Sequence, residues 1–201
     1  MPDFAFEETC RRPVAGIDEA GRGPLAGPVV AAAVILDPES LGADVLARID
    51  DSKKLRPRVR EELCALLIAN SRIGIGAASV AEIDRLNIHH ATLLAMRRAI
   101  LALDPAPRFA LIDGKFAPEC PCPARTIVGG DCLSMSIAAA SIVAKVTRDR
   151  IMARLAGPYP GFGFERNAGY GTPEHLLALA SLGPTPHHRR SFEPVLKMLS
   201  P

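Results

Sequence analysis

The sequence predicts an α/β domain with its sheet flanked by helices and a small helical appendage at the C-terminal end. Three observations lead there. Two apolar runs of strand length, residues 14–17 and 28–36, open the chain. Further short strands, at 72–80, 108–113 and 125–128, alternate with long helical patterns at 57–69, 87–103 and 132–155. From residue 157 the strand signals stop, and only a glycine- and proline-rich loop and two short helical stretches follow. With 201 residues and 48% hydrophobic content the chain can bury a proper core. Residues 1–156 are read as the main domain and 157–201 as an appendage packed on it.

The first strand, 14–17, runs into Asp18 and Glu19, and Gly21, Gly23 and Gly27 then turn the chain into the second. Adjacent strand residues point to opposite faces, so these carboxylates share a ligand only if the chain bends or one uses its backbone carbonyl. The G-x-G-x-x-x-G spacing is not a dinucleotide fingerprint, and Pro24, Pro28 and a β-branched run stand where its helix belongs. What remains is a loop whose amides can approach a phosphate or a sugar because the glycines carry no Cβ.

Residues 37–50 read as a loop with a short helix, followed by Lys53 and Lys54, a solvated pair or a phosphate contact. Pro57 fits the first turn of the next helix. Beyond the third strand, a short helix at 81–86 precedes one capped by Asn87, with His89 and His90 on its solvent side. The strand 108–113 again ends in a carboxylate, Asp113, followed by Gly114. Ligands collect at the carboxyl ends of strands in open α/β sheets, although Asp-Gly is also a common turn.

Gly129, Gly130 and Asp131 open the long helix at 132–155, with Asp131 as its expected N-cap. Asp149 lies about 27 Å further along a continuous helix, so it and Asp131 cannot serve the same ions, and it can pair with Lys145 instead. In the appendage Tyr170 stands between Gly169 and Gly171, either packed on the core or open for stacking on a sugar or base. Thr172 and Pro173 start a helix to residue 182, and a last helix spans 194–199.

The residues in and around these landmarks resemble ribonuclease HII. The segment from Gly16 to Val29, G-I-D-E-A-G-R-G-P-L-A-G-P-V, is similar to its signature, as are D-S-K-K-L at 51–55, S-I-A-A-A-S-I-V-A-K at 136–145, N-A-G-Y-G-T at 167–172 and H-R-R-S-F at 188–192. The resemblance runs, with gaps in loops, from about residue 13 to 192 and implies a ribonuclease H-like mixed five-stranded sheet, three antiparallel strands followed by two parallel ones. It implies that Asp18, Glu19, Asp113 and Asp131 bind metal. It further implies that Gly21, Arg22 and Gly23 read a ribose 2′-hydroxyl, that Tyr170 stacks on the substrate, and that Lys53, Lys54 and Arg190 contact its backbone. Two Mg²⁺ or Mn²⁺ ions about 4 Å apart would activate water and stabilise the leaving 3′-oxygen, cutting 5′ of a ribonucleotide. The partners implied are RNA/DNA hybrids and ribonucleotide-containing duplex DNA.

Composition fits this reading. The net charge is +2, but residues 1–50 carry −5, 51–144 carry +3 and 145–201 carry +4, which places a basic excess downstream of the first acids. The longest charge-free apolar runs, 24–36 and 132–144, are 13 residues each and too short to span a bilayer. Acids stand where a secretory signal needs basic residues, so no export is indicated and a cytoplasmic chain is expected, with its five cysteines, including the C-x-C at Cys120 and Cys122, as free thiols; a monomer is the separate expectation for its assembly. The rivals are ribonuclease HIII, which would carry an extra N-terminal domain, a hybrid-binding module without catalysis, and a sugar-kinase-like member of the broader fold.

Overall fold

The computed structural model describes residues 1–199. In chain order the elements are α1 (Ala5–Glu8), β1 (Val14–Ala20), β2 (Val29–Leu36), α2 (Pro38–Leu41), α3 (Ala43–Leu46), α4 (Pro57–Asn70), β3 (Ser71–Ala78), α5 (Val80–Leu101), β4 (Phe109–Asp113) and β5 (Ala124–Ile127). Then come a 3-10 turn (Gly130–Cys132), α6 (Met135–Ala156), α7 (Phe164–Asn167), α8 (Pro173–Leu182) and α9 (Glu193–Leu199). The sheet order is β3-β2-β1-β4-β5. β1 pairs antiparallel with β2 and β2 with β3, while β4 runs parallel to both β1 and β5. This is the mixed five-stranded sheet the sequence implies.

Alternation along the central strands assigns the two faces. Ala15 and Ile17 of β1, with Ala31 and Ala33 of β2, pack with Ala91, Ala95 and Ala99 of α5. On the opposite face Ala32 and Val34 of β2 pack with Ala138, Ala139 and Ile142 of α6 and with Leu63 and Leu67 of α4. Small side chains on both partners bring α6 very close: a Cβ at Gly16 would overlap the Ser136 carbonyl and the Ile137 amide. β1 is thereby fixed at Gly16 against the first turn of α6.

Most predicted elements keep their places, and two local corrections matter. The long helix starts at Met135, not at residue 132, and its N-cap is Ser134, whose hydroxyl accepts from the Ile137 N–H at 3.3 Å. Asp131 belongs to the preceding 3-10 turn instead. The expected pair of helices at 81–86 and 87–103 is present as the two parts of α5, which breaks at Asn87, where φ is 64°. Ser79 and Glu82 form a reciprocal capping box at its start, and Asn87 Oδ1 accepts from the amides of His89 and His90 after the break. His89 is half-buried, with its ring edge-on to Phe116, so only His90 lies fully on the solvent side.

Residues 157–199 pack at one end of this layered body. Phe162, Phe164 and Ala178 close over Ala26 and Met152, and Leu179 and Val195 over Leu25. The appendage is therefore built onto the glycine loop between β1 and β2. No helix among the described residues is long and apolar enough to cross a membrane.

Candidate active site

β1 does not end before its acids. It continues through Asp18 and Glu19 to Ala20, paired with β2 throughout. Its ladder with β4 stops earlier, at Ile17 opposite Ile112. Beyond that point one edge of β1 is open, and the tip of β4, Asp113, stands beside the opening. Asp18 lies on the α6 face and Glu19 on the α5 face, yet around this free edge a carboxylate oxygen from Asp18, Glu19 and Asp113 comes within 4.8 Å of the others. The strand itself is continuous, and the acids meet around the edge that β4 leaves free.

Burial makes this cluster electrostatically expensive. Asp18 is 5% exposed, and its carboxyl is held well above the usual range, first by desolvation and then by repulsion from Glu19 and Asp113. Its Oδ1 accepts a 2.6 Å bond from the Glu19 N–H, which only partly offsets this. Burial also raises Glu19, against the pull of Arg22, whose Nη1 donates to Glu19 Oε1 at 3.2 Å. Asp113 is raised by desolvation as well, while its Oδ1 accepts from the Gly130 N–H at 2.7 Å.

That last bond ties the tip of β4 to the 3-10 turn and so brings up Asp131, which is 6% exposed. Asp131 lies outside the tight triple but adds to the repulsion felt by Asp18 and Asp113. Its Oδ2 stands 3.4 Å from Lys53 Nζ. Burial opposes the charge on Lys53, but Asp131, Asp51 and Asp18 together raise its ammonium above the ordinary value. Lys54 turns away, to Asp50 at 3.1 Å and Cys132 Sγ at 3.7 Å. Asp149 is remote from the cluster and pairs with Lys145 at 2.6 Å, the partner its spacing predicts.

The donor set fits a hard divalent cation. Three or four carboxylate oxygens with no His or Cys are the oxygen ligands that such a cation takes. Glu19 Oε2 is buried without any hydrogen-bond partner, an oxygen whose desolvation a cation would offset. The repulsion within the cluster would be relieved in the same way.

A cleft of about 280 Å³ opens from the acids, lined by Gly21, Arg22 and Gly23 on one side, Lys53 on another, and Tyr170 opposite. Tyr170 is 47% exposed, and a Cβ on Gly23 would come 3.7 Å from its ring. Of the two readings open for this tyrosine, the structure has the exposed ring. Gly21 has φ +96°, and a Cβ there would also collide with the side chain of Arg148, so only glycine fits.

The H-R-R-S-F segment, 188–192, is only partly at the surface. Arg190 is exposed, but His188 and Arg189 are buried, at 1% and 0% exposure. Arg189 donates from Nε to the Gly27 carbonyl, from Nη1 to that of Arg22 and from Nη2 to that of Gly21. Arg148 of α6 does the same for Pro28, Ala168 and Ala26. Six carbonyls stand in for carboxylates, and desolvation lowers both guanidiniums, Arg189 to about 9. Sequence reasoning missed both. The available signal was the spacing of Ser141, Arg148 and Met152, which puts Arg148 on the buried stripe of α6.

Comparison with known proteins decides the family. The ribonuclease HII family model matches residues 15–195. The chain belongs to the ribonuclease HII family. It is 62% identical to ribonuclease HII of Paramagnetospirillum magneticum over 199 residues, covering 99% of each chain, and 58% identical to that of Rhodospirillum rubrum, covering all of this chain and 93% of the relative. The crystal structure of ribonuclease H2 from Pyrococcus horikoshii matches with a TM-score of 0.78 at 27% identity, over 92% of this chain and 96% of that one. Membership places the chain among the ribonucleases H, which are endonucleases, and its sheet is the fold of that family.

Proposed function

We propose that the chain hydrolyses the RNA strand of RNA/DNA hybrids and cuts 5′ of single ribonucleotides embedded in duplex DNA, leaving 3′-hydroxyl and 5′-phosphate ends. The observation that carries this is the meeting of three carboxylates, one buried and two half-buried, around the open edge of β1, beside a cleft whose wall is the glycine loop. Asp18, Glu19 and Asp113 would hold the cations, with Asp131 as the fourth ligand once it exchanges Lys53 for metal. When bound, two Mg²⁺ or Mn²⁺ ions would supply Lewis-acid stabilisation at the attacked phosphodiester.

The chain's own residues bind and orient. Pinning the carbonyls of Gly21 and Arg22 to Arg189 turns them inward, and the Gly23 amide, which has no partner among the described residues, is left for the substrate. Such an amide can donate to a ribose 2′-hydroxyl, the atom that separates RNA from DNA. The Tyr170 ring, across from Gly23, offers a stacking face to the adjoining sugar. Lys53 and the exposed Arg190 are assigned to phosphates of the substrate, and Lys54 can join them on leaving Asp50. The test is a duplex bearing one ribonucleotide, labelled at either end and incubated with Mg²⁺ or Mn²⁺. Fragments ending 5′ of the ribonucleotide with a 3′-hydroxyl are expected; binding with no cut, or cuts in all-DNA duplex, would refute the reading.

A further inference from the structure

The glycine loop and Tyr170 line the same cleft, and one dipeptide is tied to both, to Tyr170 through His175. Arg189 holds the glycine loop by the carbonyls of Gly21, Arg22 and Gly27, and its own amide donates to the Leu25 carbonyl at 2.8 Å. His188, its neighbour, faces the other way. Its Nε2 stands 2.9 Å from Nε2 of His175, whose Nδ1 is 2.8 Å from the carbonyl of Tyr170.

The protons on this path follow from its two ends. The Thr185 N–H can only donate, so His188 Nδ1 accepts from it at 2.9 Å. The Tyr170 carbonyl can only accept, so His175 Nδ1 carries a proton. A neutral His175 then has a lone pair on Nε2, and a neutral His188 has its proton on Nε2, which donates to it. The chain from Thr185 to Tyr170 closes only with both imidazoles neutral. A further proton on His175 would set two N–H groups against each other, and one on His188 would face the Thr185 amide. Surroundings favour neutrality: both rings are buried, at 0% and 1% exposure, against Phe162 and Phe164. Desolvation lowers both, and with repulsion from His175 and His187 it takes His188 down to about 4. His187 is the titratable group that faces this pair, and its ring packs on Tyr159.

We propose that His188 and Arg189 form a brace that sets the gap between the glycine loop and the Tyr170 ring, with His175 as the link to Tyr170. These three are positioning residues for recognition of the ribose, and the assignment rests on the reading of the cleft given above. The brace explains why a basic residue in this segment is wholly buried, and why two histidines share a hydrogen bond in an aromatic pocket.

The test combines a spectroscopic and a binding readout. Imidazole nitrogen shifts at neutral pH should identify His175 as the Nδ1–H tautomer and His188 as the Nε2–H tautomer. Binding preference is the ratio of affinities for a duplex with one ribonucleotide and the same duplex in all-DNA form, measured with Ca²⁺ to hold off cleavage. Tyr170→Ala is expected to lower this preference by about tenfold, the scale of one lost stacking contact. His175→Leu should lower it comparably alone and add nothing in the Tyr170→Ala background, as coupled residues do. His175→Asn, which keeps a donor for the Tyr170 carbonyl, should stay within about threefold of wild type. Arg189→Lys, run in parallel in case His175→Leu does not fold, should be equally non-additive with Tyr170→Ala. Multiplying effects in both double variants, or the opposite tautomers, would overturn the brace while leaving the reading of the cleft intact. If Tyr170→Ala leaves the preference unchanged, the reading of the cleft fails and the brace loses its purpose, whatever the tautomers.

Discussion

Asp18→Asn should make the metal-free protein more stable and the metal-loaded protein less so. Asp18 is 5% exposed, lies within 4.8 Å of two other carboxylates, and has one N–H donor to set against them. Neutralising it removes a desolvated charge with no cation beside it, a gain of about 1–2 kcal/mol. A chain of this size shifts its Tm by about 2–4 °C per kcal/mol, so a rise of roughly 2–8 °C is expected in EDTA. Metal reverses the order. At one hundred times its Kd a divalent ion stabilises wild type by about 2.7 kcal/mol, or roughly 5–11 °C, and Asp18→Asn should lose most of that response. Calorimetry is the suitable assay because the chain has no Trp. Equal lowering of Tm in EDTA and in Mg²⁺, with the metal response kept, would refute the claim that the carboxylates are assembled for a cation.

The pH dependence follows from the same groups. Asp18, Glu19 and Asp113 are all raised above their unfolded values, so between those values and neutrality the native state binds more protons than the unfolded one. Their contribution therefore favours folding at low pH and is lost as pH rises through the raised values; urea titrations in EDTA should detect this slope, and saturating Mn²⁺ should abolish it. Gly16→Ala forces a methyl group into the backbone of α6 and should cost about 3 kcal/mol or more in urea unfolding. A loss under about 1 kcal/mol would mean that the strand and helix are not in this close contact.

Much of the fold could be read from residue patterns, because strand and helix periods and turn residues are local. Four of the five strands sit within two residues of their expected bounds, β1 runs three residues further, to Ala20, and the break at Asn87 separates two helices that the sequence had already distinguished. The start of α6 was misplaced because Asp131 is as good a cap by type as Ser134, and the choice is made by the Asp113 to Gly130 bond, 17 residues apart in sequence. In the candidate site, both carboxylate-bearing strand ends were legible. How Asp18 and Glu19 meet was not, since it depends on where the β1 and β4 ladder stops. Arg189 reads as surface in any local pattern; only the fold brings it to the carbonyls of Gly21 and Arg22, 168 and 167 residues away.

The central claim is that the acids of β1, β4 and the 3-10 turn act together on a phosphodiester. Its most direct measurement is the cleavage rate of a duplex with one ribonucleotide, in Mg²⁺ and in Mn²⁺, for wild type, Asp131→Asn and Asp149→Asn at matched folded fractions. The account predicts cutting 5′ of the ribonucleotide by wild type and Asp149→Asn, and loss of about a hundredfold or more in Asp131→Asn. A dead Asp149→Asn beside an active Asp131→Asn would contradict it, because Asp149 lies outside the acidic cluster and pairs with Lys145.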